Sequence, residues 1–478
     1  MKFDSLIFLL SKLTLIMGIA LAGNLVVALF FGEAVLAFVL PALLNFALFA
    51  GLARASKRKP PSQFKKKEAI LTVSIAWFFM TLVSALPYVI GGAIPSFVDA
   101  WFESVSGYTT TGSTILAEIE SLPKSILFWR DLTHWIGGIG IIVLVIVIMP
   151  GAQMNNYAVF SLESSIREKI HPRIRSVGYR LLIIYLGLTV LQINLLLLGG
   201  MNLFESVCHS FATVATGGFS PKNTSIIDYS PYIQYVIAVF MLLGATNFIV
   251  HYYLIHSHLD KVWNNDELWF FLKVVMVSTL FITLFLVLKT DRDLEKSFRD
   301  AFFQVSSIIS TTGFASDDYL LWPPAASVVI FILLFTGGST GSTTGGIKMA
   351  RHLLAGRSIR YYFRSQLHPN AIYSLKLNNK KLSPSESNSV TAFIYSYLTI
   401  FVIGSIALVL IGSDLLTATS SVATTLGAIG PGFGTVGPVA NFAHLPDASK
   451  VILSLCMLLG RLELYSILLI VTPGFWKK

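Results

Sequence analysis

The stretch Asp99-Ala100-Trp101-Phe102-Glu103-Ser104-Val105-Ser106-Gly107-Tyr108-Thr109-Thr110-Thr111-Gly112-Ser113-Thr114 sets an acid, an amphipathic turn or two and a Thr/Gly loop in succession. It recurs. Asp300 leads through Phe302 and Ser306 to Ser310-Thr311-Thr312-Gly313-Phe314, and Glu205 leads to Ala215-Thr216-Gly217-Gly218-Phe219, with the same 13-residue gap from acid to glycine. In a fourth copy Asp414 sits about one helical turn further back, before Thr424-Thr425-Leu426-Gly427-Ala428-Ile429-Gly430-Pro431. Gly112, Gly218, Gly313 and Gly430 lie 106, 95 and 117 residues apart, a period too long for a solenoid and suited to a four-fold internal duplication.

Each copy stands between two apolar runs long enough to cross a bilayer, so the unit reads as membrane helix, short helix, Thr/Gly loop, membrane helix. A loop at membrane depth leaves carbonyls without helical partners, which is tolerated only where it lines a wet cavity or is buried in protein. Four such loops around one axis would form a ring of carbonyl oxygens able to replace the hydration shell of a monovalent cation. The short helices would turn their negative C-terminal ends to that ring, with the leading acids at their N-terminal ends. The candidate ring residues are Thr110, Thr111 and Gly112; Thr216, Gly217 and Gly218; Thr311, Thr312 and Gly313; and Ile429 and Gly430.

With 478 residues, 54% hydrophobic and 13% charged, the chain is excluded from the soluble globular class and reads as an all-α polytopic membrane protein. The apolar run Leu6–Phe31 is too long for a signal h-region, so no cleaved signal is expected. Cys208 and Cys456 suggest neither a disulfide framework nor a metal cluster. The net charge of +10 is concentrated in alternate connections, the positive-inside pattern and not a nucleic-acid stripe.

Two N-terminal spans, Ser5 to Phe31 and Glu33 to Leu52, precede the first repeat and carry no loop motif. Arg54 to Lys67 holds seven Lys or Arg residues and is expected to be cytoplasmic, as are residues 151–180 with Arg167, Lys169, Arg173, Arg175 and Arg180. The expected organisation is 1–67 for the extra spans and linker, then repeats over 68–165, 166–260, 261–385 and 386–478, around one central pore. The basic tail Lys477-Lys478 places the C-terminus inside with the N-terminus. Return spans are expected from Trp129 to Pro150, Tyr232 to about His256, Pro324 onward and Lys450 to Val471. Glu118, Glu120, Asp228, Asp317, Asp318 and Asp447 fall on the opposite side, where acids would concentrate cations.

Two features stand apart from the loops. Gly337-Gly338-Ser339-Thr340-Gly341-Ser342-Thr343-Thr344-Gly345-Gly346 interrupts the third return span, and at about 1 kcal/mol per Gly relative to Ala a continuous helix is not expected. Such a loop either obstructs the conduction path or packs small residues between helices; Lys348, which does not directly follow Gly346, rules out a P-loop. Arg461 sits in the last apolar span, facing the pore below the ring or pairing between helices, with Glu463 on another face. No catalytic nucleophile with its base and no cleft of paired carboxylates is evident, so the chain is not expected to be an enzyme.

These loops, together with His134-Trp135-Ile136-Gly137-Gly138-Ile139-Gly140, the Gly337 to Lys348 segment and Gly460-Arg461-Leu462-Glu463, resemble the Trk/Ktr/HKT superfamily of potassium transporters over nearly the whole chain. The two extra N-terminal spans resemble the bacterial TrkH/TrkG type. The resemblance implies four membrane-pore-membrane repeats, a homodimer in the bacterial inner membrane, and a cytosolic ring of TrkA-like nucleotide-binding subunits that gates it. It also implies that Gly112, Gly218, Gly313 and Gly430 mark a K+ site, that Gly337 to Gly346 is an intramembrane gate, and that Arg461 lies below the filter. K+ is then the transported ion, with no organic cofactor on this chain. Channel-like uptake and coupling to H+ or Na+ need the same ring and stay open at this stage. The segment Arg351 to Lys381 is the candidate docking surface, for the cytosolic subunit or for anionic lipids. The sequence departs from the pattern in the fourth loop, where no Thr adjoins Gly430, and in the first, where Ser113 replaces the Phe of the second and third.

Overall fold

A computed structural model of the chain describes residues 4–56, 66–148, 174–370, 374–378 and 380–477. The first two helices, α1 (Asp4–Phe30) and α2 (Leu36–Ala55), pack along one another, close to the expected spans. The first repeat is α3 (Lys66–Ser84) with its continuation α4 (Leu86–Ile90), the short α5 (Phe97–Tyr108) and the return helix α6 (Lys124–Ile148). The second comprises α7 (Ile174–Leu198), α8 (Leu203–Val214), α9 (Pro231–Ala245) and α10 (Phe248–Ile255), followed by the turn helix α11 (Leu259–Trp263). The third comprises α12 (Asp266–Lys289), α13 (Leu294–Ile309), α14 (Pro324–Leu333) and α15 (Met349–Leu367), then a hairpin of β1 (Lys376–Leu377) and β2 (Lys380–Lys381). The fourth comprises α16 (Pro384–Ile411), α17 (Leu415–Gly427), α18 (Asp447–Arg461), α19 (Tyr465–Val471) and the terminal α20 (Pro473–Trp476).

Among the described residues, six helices are long and apolar enough to cross a membrane, or up to eight if each bent pair is one span. They are hydrophobic all round because two different apolar media surround them. On α12, Val275, Ile282 and Leu286 face protein, while Val277, Leu280, Leu284 and Leu288 are exposed at helical spacing and face hydrocarbon. The short helices are the reverse case. α5, α13 and α17 bury Ser104, Ser106, Gln304, Ser306, Ser307, Ser420 and Ser421, which only a sheath of apolar spans can accommodate.

Capping starts the short helices where the sequence allows it. Ser96, Asn202 and Asp414 accept from the amides of Asp99, Glu205 and Thr417, satisfying otherwise orphaned N–H groups. Asp99 and Glu205 therefore lie in the first turn, as expected. Asp300 does not. α13 begins six residues earlier, and Asp300 sits in its second turn with its carboxylate on Arg292, 3.0 Å away.

Of the return spans, the third breaks at the Gly-rich segment as the sequence indicates, but two others break as well. α9 and α10 meet at 102°, and α18 and α19 at 114°. At the first break the Asn247 side chain accepts from Ile249 N–H at 2.8 Å and so caps a new helix. At the second, Glu463 and Leu464 take left-handed φ values of 51° and 57°.

Candidate functional site

All four short helices end in the same way. The amides of Thr111, Gly217, Thr312 and Ile429 donate five residues back to the carbonyls of Ser106, Ala212, Ser307 and Thr424, at 2.7–2.9 Å. The amides of Thr110, Thr216, Thr311 and Ala428 donate three residues back to Gly107, Thr213, Ile308 and Thr425. This pair of bonds is the Schellman closure, which requires a left-handed residue just past the helix. Thr110, Thr216, Thr311 and Ala428 fill that position at φ 54°, 55°, 53° and 55°, although glycine is usual there. Two residues on, Gly112, Gly218, Gly313 and Gly430 also have positive φ, from 82° to 103°. The fourth loop, irregular in sequence, has the backbone of the other three.

These loops meet in a closed cycle. A Cβ on Gly112 would collide with the Gly217 carbonyl oxygen, one on Gly218 with that of Thr312, and one on Gly313 with that of Ile429. One on Gly430 would stand 2.8 Å from the carbonyl oxygen of Thr111, which returns the contact to the first repeat. Each glycine thus packs its bare Cα against the carbonyl that precedes the next glycine, so neighbouring loops approach as closely as backbone permits. Four helix C-termini converge here, and their dipoles add negative potential to the ring.

Each junction of the ring is tied by different side chains. Between the first and second loops, the Arg130 guanidinium pairs with Glu103 at 2.8 Å, donates to the Ser220 carbonyl and to Thr114 Oγ1, and lies 4.1 Å over the Phe219 ring; both charges are fully buried. His134 bridges the same junction. Between the second and third, Ile226 N–H donates to Ala315 and Ala315 N–H to Ser225 Oγ. Tyr319 hydroxyl donates to the Gly432 carbonyl at 2.6 Å between the third and fourth, and Ser113 Oγ to the Gly430 carbonyl at 3.1 Å between the fourth and first.

Against the helix-end side of the ring packs the Gly-rich segment, in direct contact with the second, third and fourth loops and linked to the first through Arg461. Thr343 Oγ1 accepts from Thr216 Oγ1 at 3.1 Å, and Gly345 N–H donates to Thr311 Oγ1 at 2.9 Å. A Cβ on Gly345 would strike the Gly427 carbonyl, and one on Gly337 the Gly345 carbonyl, so these glycines are needed for the packing itself. Arg461 supplies the fourth contact, donating to Thr110 Oγ1 (3.3 Å), the Thr343 carbonyl (2.6 Å) and the Gly137 carbonyl (2.8 Å). Lys348 Nζ donates to the carbonyl and hydroxyl of Thr344. Within the segment Ser342 Oγ bonds Ser339, Gly338 N–H bonds Thr344, and Phe248 N–H donates to Gly341 from the broken second return span. Gly346 holds φ 66° where the chain turns back beside Thr336.

Several residues at this site carried no legible signal. Glu267, in the first turn of α12, is buried and accepts from Thr340 N–H (2.6 Å), Thr340 Oγ1 and Ala350 N–H, which anchors both arms of the Gly-rich segment. Glu463, on a different face from Arg461, pairs with Arg351 at 2.5 Å. Arg351 is therefore buried and is not part of an exposed docking surface, whereas Arg360 and Arg364 of α15 are exposed. Lys450 pairs with Asp99 at 2.5 Å. Of the acids expected to draw cations, Asp317 is paired with Arg292 and Glu120 lies 3.7 Å from Lys222, so part of that charge is compensated, while Asp228 accepts only from the neutral Thr224 hydroxyl. The basic residues Arg167, Lys169 and Arg173 lie outside the described residues.

The chain is similar to proteins of known family along its whole length. A family model described as "Cation transport protein", TrkH, matches residues 37–477. The Trk system potassium uptake protein TrkH of Escherichia coli (strain K12) is 36% identical over 428 residues, covering 88% of each chain. The protein of the same name from Vibrio parahaemolyticus is 33% identical over 491 residues, covering both completely. The crystal structure of the potassium transporter TrkH from Vibrio parahaemolyticus superposes with a TM-score of 0.90 at 32% identity, again over 100% of both chains. The chain is thus a multi-pass membrane protein, not an enzyme, and it belongs to the TrkH family of cation transport proteins.

Proposed function

We propose that this protein takes up K+ across a bacterial inner membrane, with the four-loop ring as its selectivity filter. The observation that carries this reading is the cycle of glycine-to-carbonyl contacts, which brings backbone from four quarters of one chain within van der Waals reach around one centre. The ring carbonyls belong to Thr111, Gly217, Thr312 and Ile429, whose amides are fixed in the Schellman closures, so closing around a smaller ion strains those helix-end hydrogen bonds and the ring favours an ion of one size. The helix dipoles select for positive charge. Gly313→Ser, reconstituted in liposomes, should lower the K+/Na+ flux ratio; a ratio equal to that of the native protein would remove the filter.

The Gly-rich segment Gly337 to Gly346, with Lys348 and Arg461, is the gate in this reading. Supporting this is its packing against one side of the ring, where a few side chains, chiefly Glu267, Arg461 and Thr343, hold it. Deleting Gly341 to Thr343 should raise basal K+ flux. The five segments 1–67, 68–165, 166–260, 261–385 and 386–478 stand as the functional divisions, with both termini cytoplasmic. Cytosolic nucleotide-binding subunits of the TrkA type would reach the gate through α15, which is continuous with it and exposes Arg360 and Arg364; assembly as a homodimer completes the proposal.

A further inference from the structure

His134 lies on α6, one turn beyond Arg130, and is fully buried. Its imidazole touches two quarters of the ring at once. Nδ1 lies 2.7 Å from the Gly107 carbonyl oxygen, in the last turn of α5, and Nε2 lies 3.2 Å from the backbone nitrogen of Phe219, just after Gly218. A carbonyl can only accept and an amide N–H can only donate, so Nδ1 carries the proton and Nε2 is bare. The same ring stacks on Phe219 at 4.1 Å and stands against Gly217, where any Cβ would enter it. The Gly107 carbonyl also accepts from Thr110 N–H at 3.1 Å, the bond that opens the first left-handed turn. One tautomer of one side chain therefore holds the start of the first loop and the exit of the second. At the other three junctions the ties between the loops are backbone groups and hydroxyls, and the charged contacts of Arg461 and Lys450 with the first repeat come from α18.

We propose that His134 is a positioning residue for ion selection, setting the spacing between the first and second loops of the ring. The proposal rests on the reading of the ring as a filter. It differs from a purely structural role because one hydrogen bond ends on the second loop and the other on the Gly107 carbonyl that also closes the first left-handed turn, so their loss changes the geometry presented to the ion before it unfolds the protein.

Three substitutions separate the two bonds. His134→Gln can place an amide oxygen near the Nε2 position and keep the Phe219 bond, His134→Asn can place an amide nitrogen near the Nδ1 position and keep the Gly107 bond, and His134→Leu removes both. The full-length variants are reconstituted in phospholipid vesicles for K+/Na+ flux ratios, with thermal unfolding followed in detergent. The ratio should fall, by at most about fivefold per hydrogen bond if its whole free energy acts on the K+-bound ring, with Leu lowest and Gln and Asn between it and the native protein. Native ratios in all variants that fold, with only the unfolding temperature lowered, overturn the proposal; if the Leu variant does not fold, the Gln and Asn pair decides. Gly313→Ser is run alongside. A changed ratio there with unchanged His134 variants rejects His134 alone, and an unchanged ratio in Gly313→Ser rejects the filter on which it rests.

Discussion

The four loops and the four return spans of the same repeats obey opposite rules. At the loops, four different sequences adopt one backbone, with left-handed φ within 53–55° at the position after each short helix. The return spans, in contrast, comprise one continuous helix among the described residues, two sharply bent pairs and one helix opened by the Gly-rich segment. A site that acts through carbonyl oxygens constrains dihedral angles and tolerates Thr or Ala side chains. A site that must bind and release a moving segment needs individual side chains, so symmetry is lost where Glu267, Arg461 and Arg351 sit. On the proposed reading, selection belongs to the symmetric layer and gating to the asymmetric one.

The comparison breaks most readily at its charged tie. Arg130→Leu leaves Glu103 buried without its partner and should cost about 3–5 kcal/mol, read as a large fall in unfolding temperature. Arg461→Leu, in the asymmetric layer, removes donors to the Thr343 and Gly137 carbonyls but leaves no carboxylate stranded, since Glu463 has Arg351. Its stability loss should be smaller, with the change appearing in basal flux. Equal losses from the two substitutions would erase the distinction between the layers.

Next in size is the glycine series. Gly218→Ala combines a positive φ with a collision against the Thr312 carbonyl, costs of about 1–2 and 1–3 kcal/mol respectively, and should also abolish ion discrimination. Gly430→Ala meets the Thr111 carbonyl at 2.8 Å and should be the mildest of the four. Equal effects at all four glycines would show that φ alone, and not the interloop contact, governs the ring.

How much of this was legible follows the same division. The repeat and its four glycines could be read from sequence because φ > 0 and close backbone approach restrict residue type at fixed offsets. Even the fourth loop was located, although its likeness to the others became visible only as backbone geometry. The break at Asn247 was hidden because a capping Asn inside an apolar run resembles a tolerated polar residue. Glu267, Arg351 and Lys450 were hidden for another reason: their partners are 73, 112 and 351 residues away in the chain, and no local pattern encodes such a pairing. The analogy with Asp99 and Glu205 places Asp300 at a helix start, whereas α13 extends further back to Leu294.

The smallest effect tests whether the left-handed position is as indifferent to side chain as its shared backbone suggests. For Ala428→Gly, relief of left-handed strain, about 1–2 kcal/mol, opposes the entropy of an added glycine, about 0.5–1 kcal/mol, and the loss of one buried methyl, about 1 kcal/mol. These nearly cancel, so the unfolding temperature should stay close to native. Thr311→Gly gains the same relief but deprives the Gly345 amide of its acceptor inside a buried contact, which costs about 1–3 kcal/mol more. The third loop should therefore be the less tolerant of the two, and basal flux should rise with Thr311→Gly only, because that hydroxyl is where the symmetric layer holds the asymmetric one. Matching behaviour of the two variants would mean that the Gly-rich segment gains nothing from its bond to the ring.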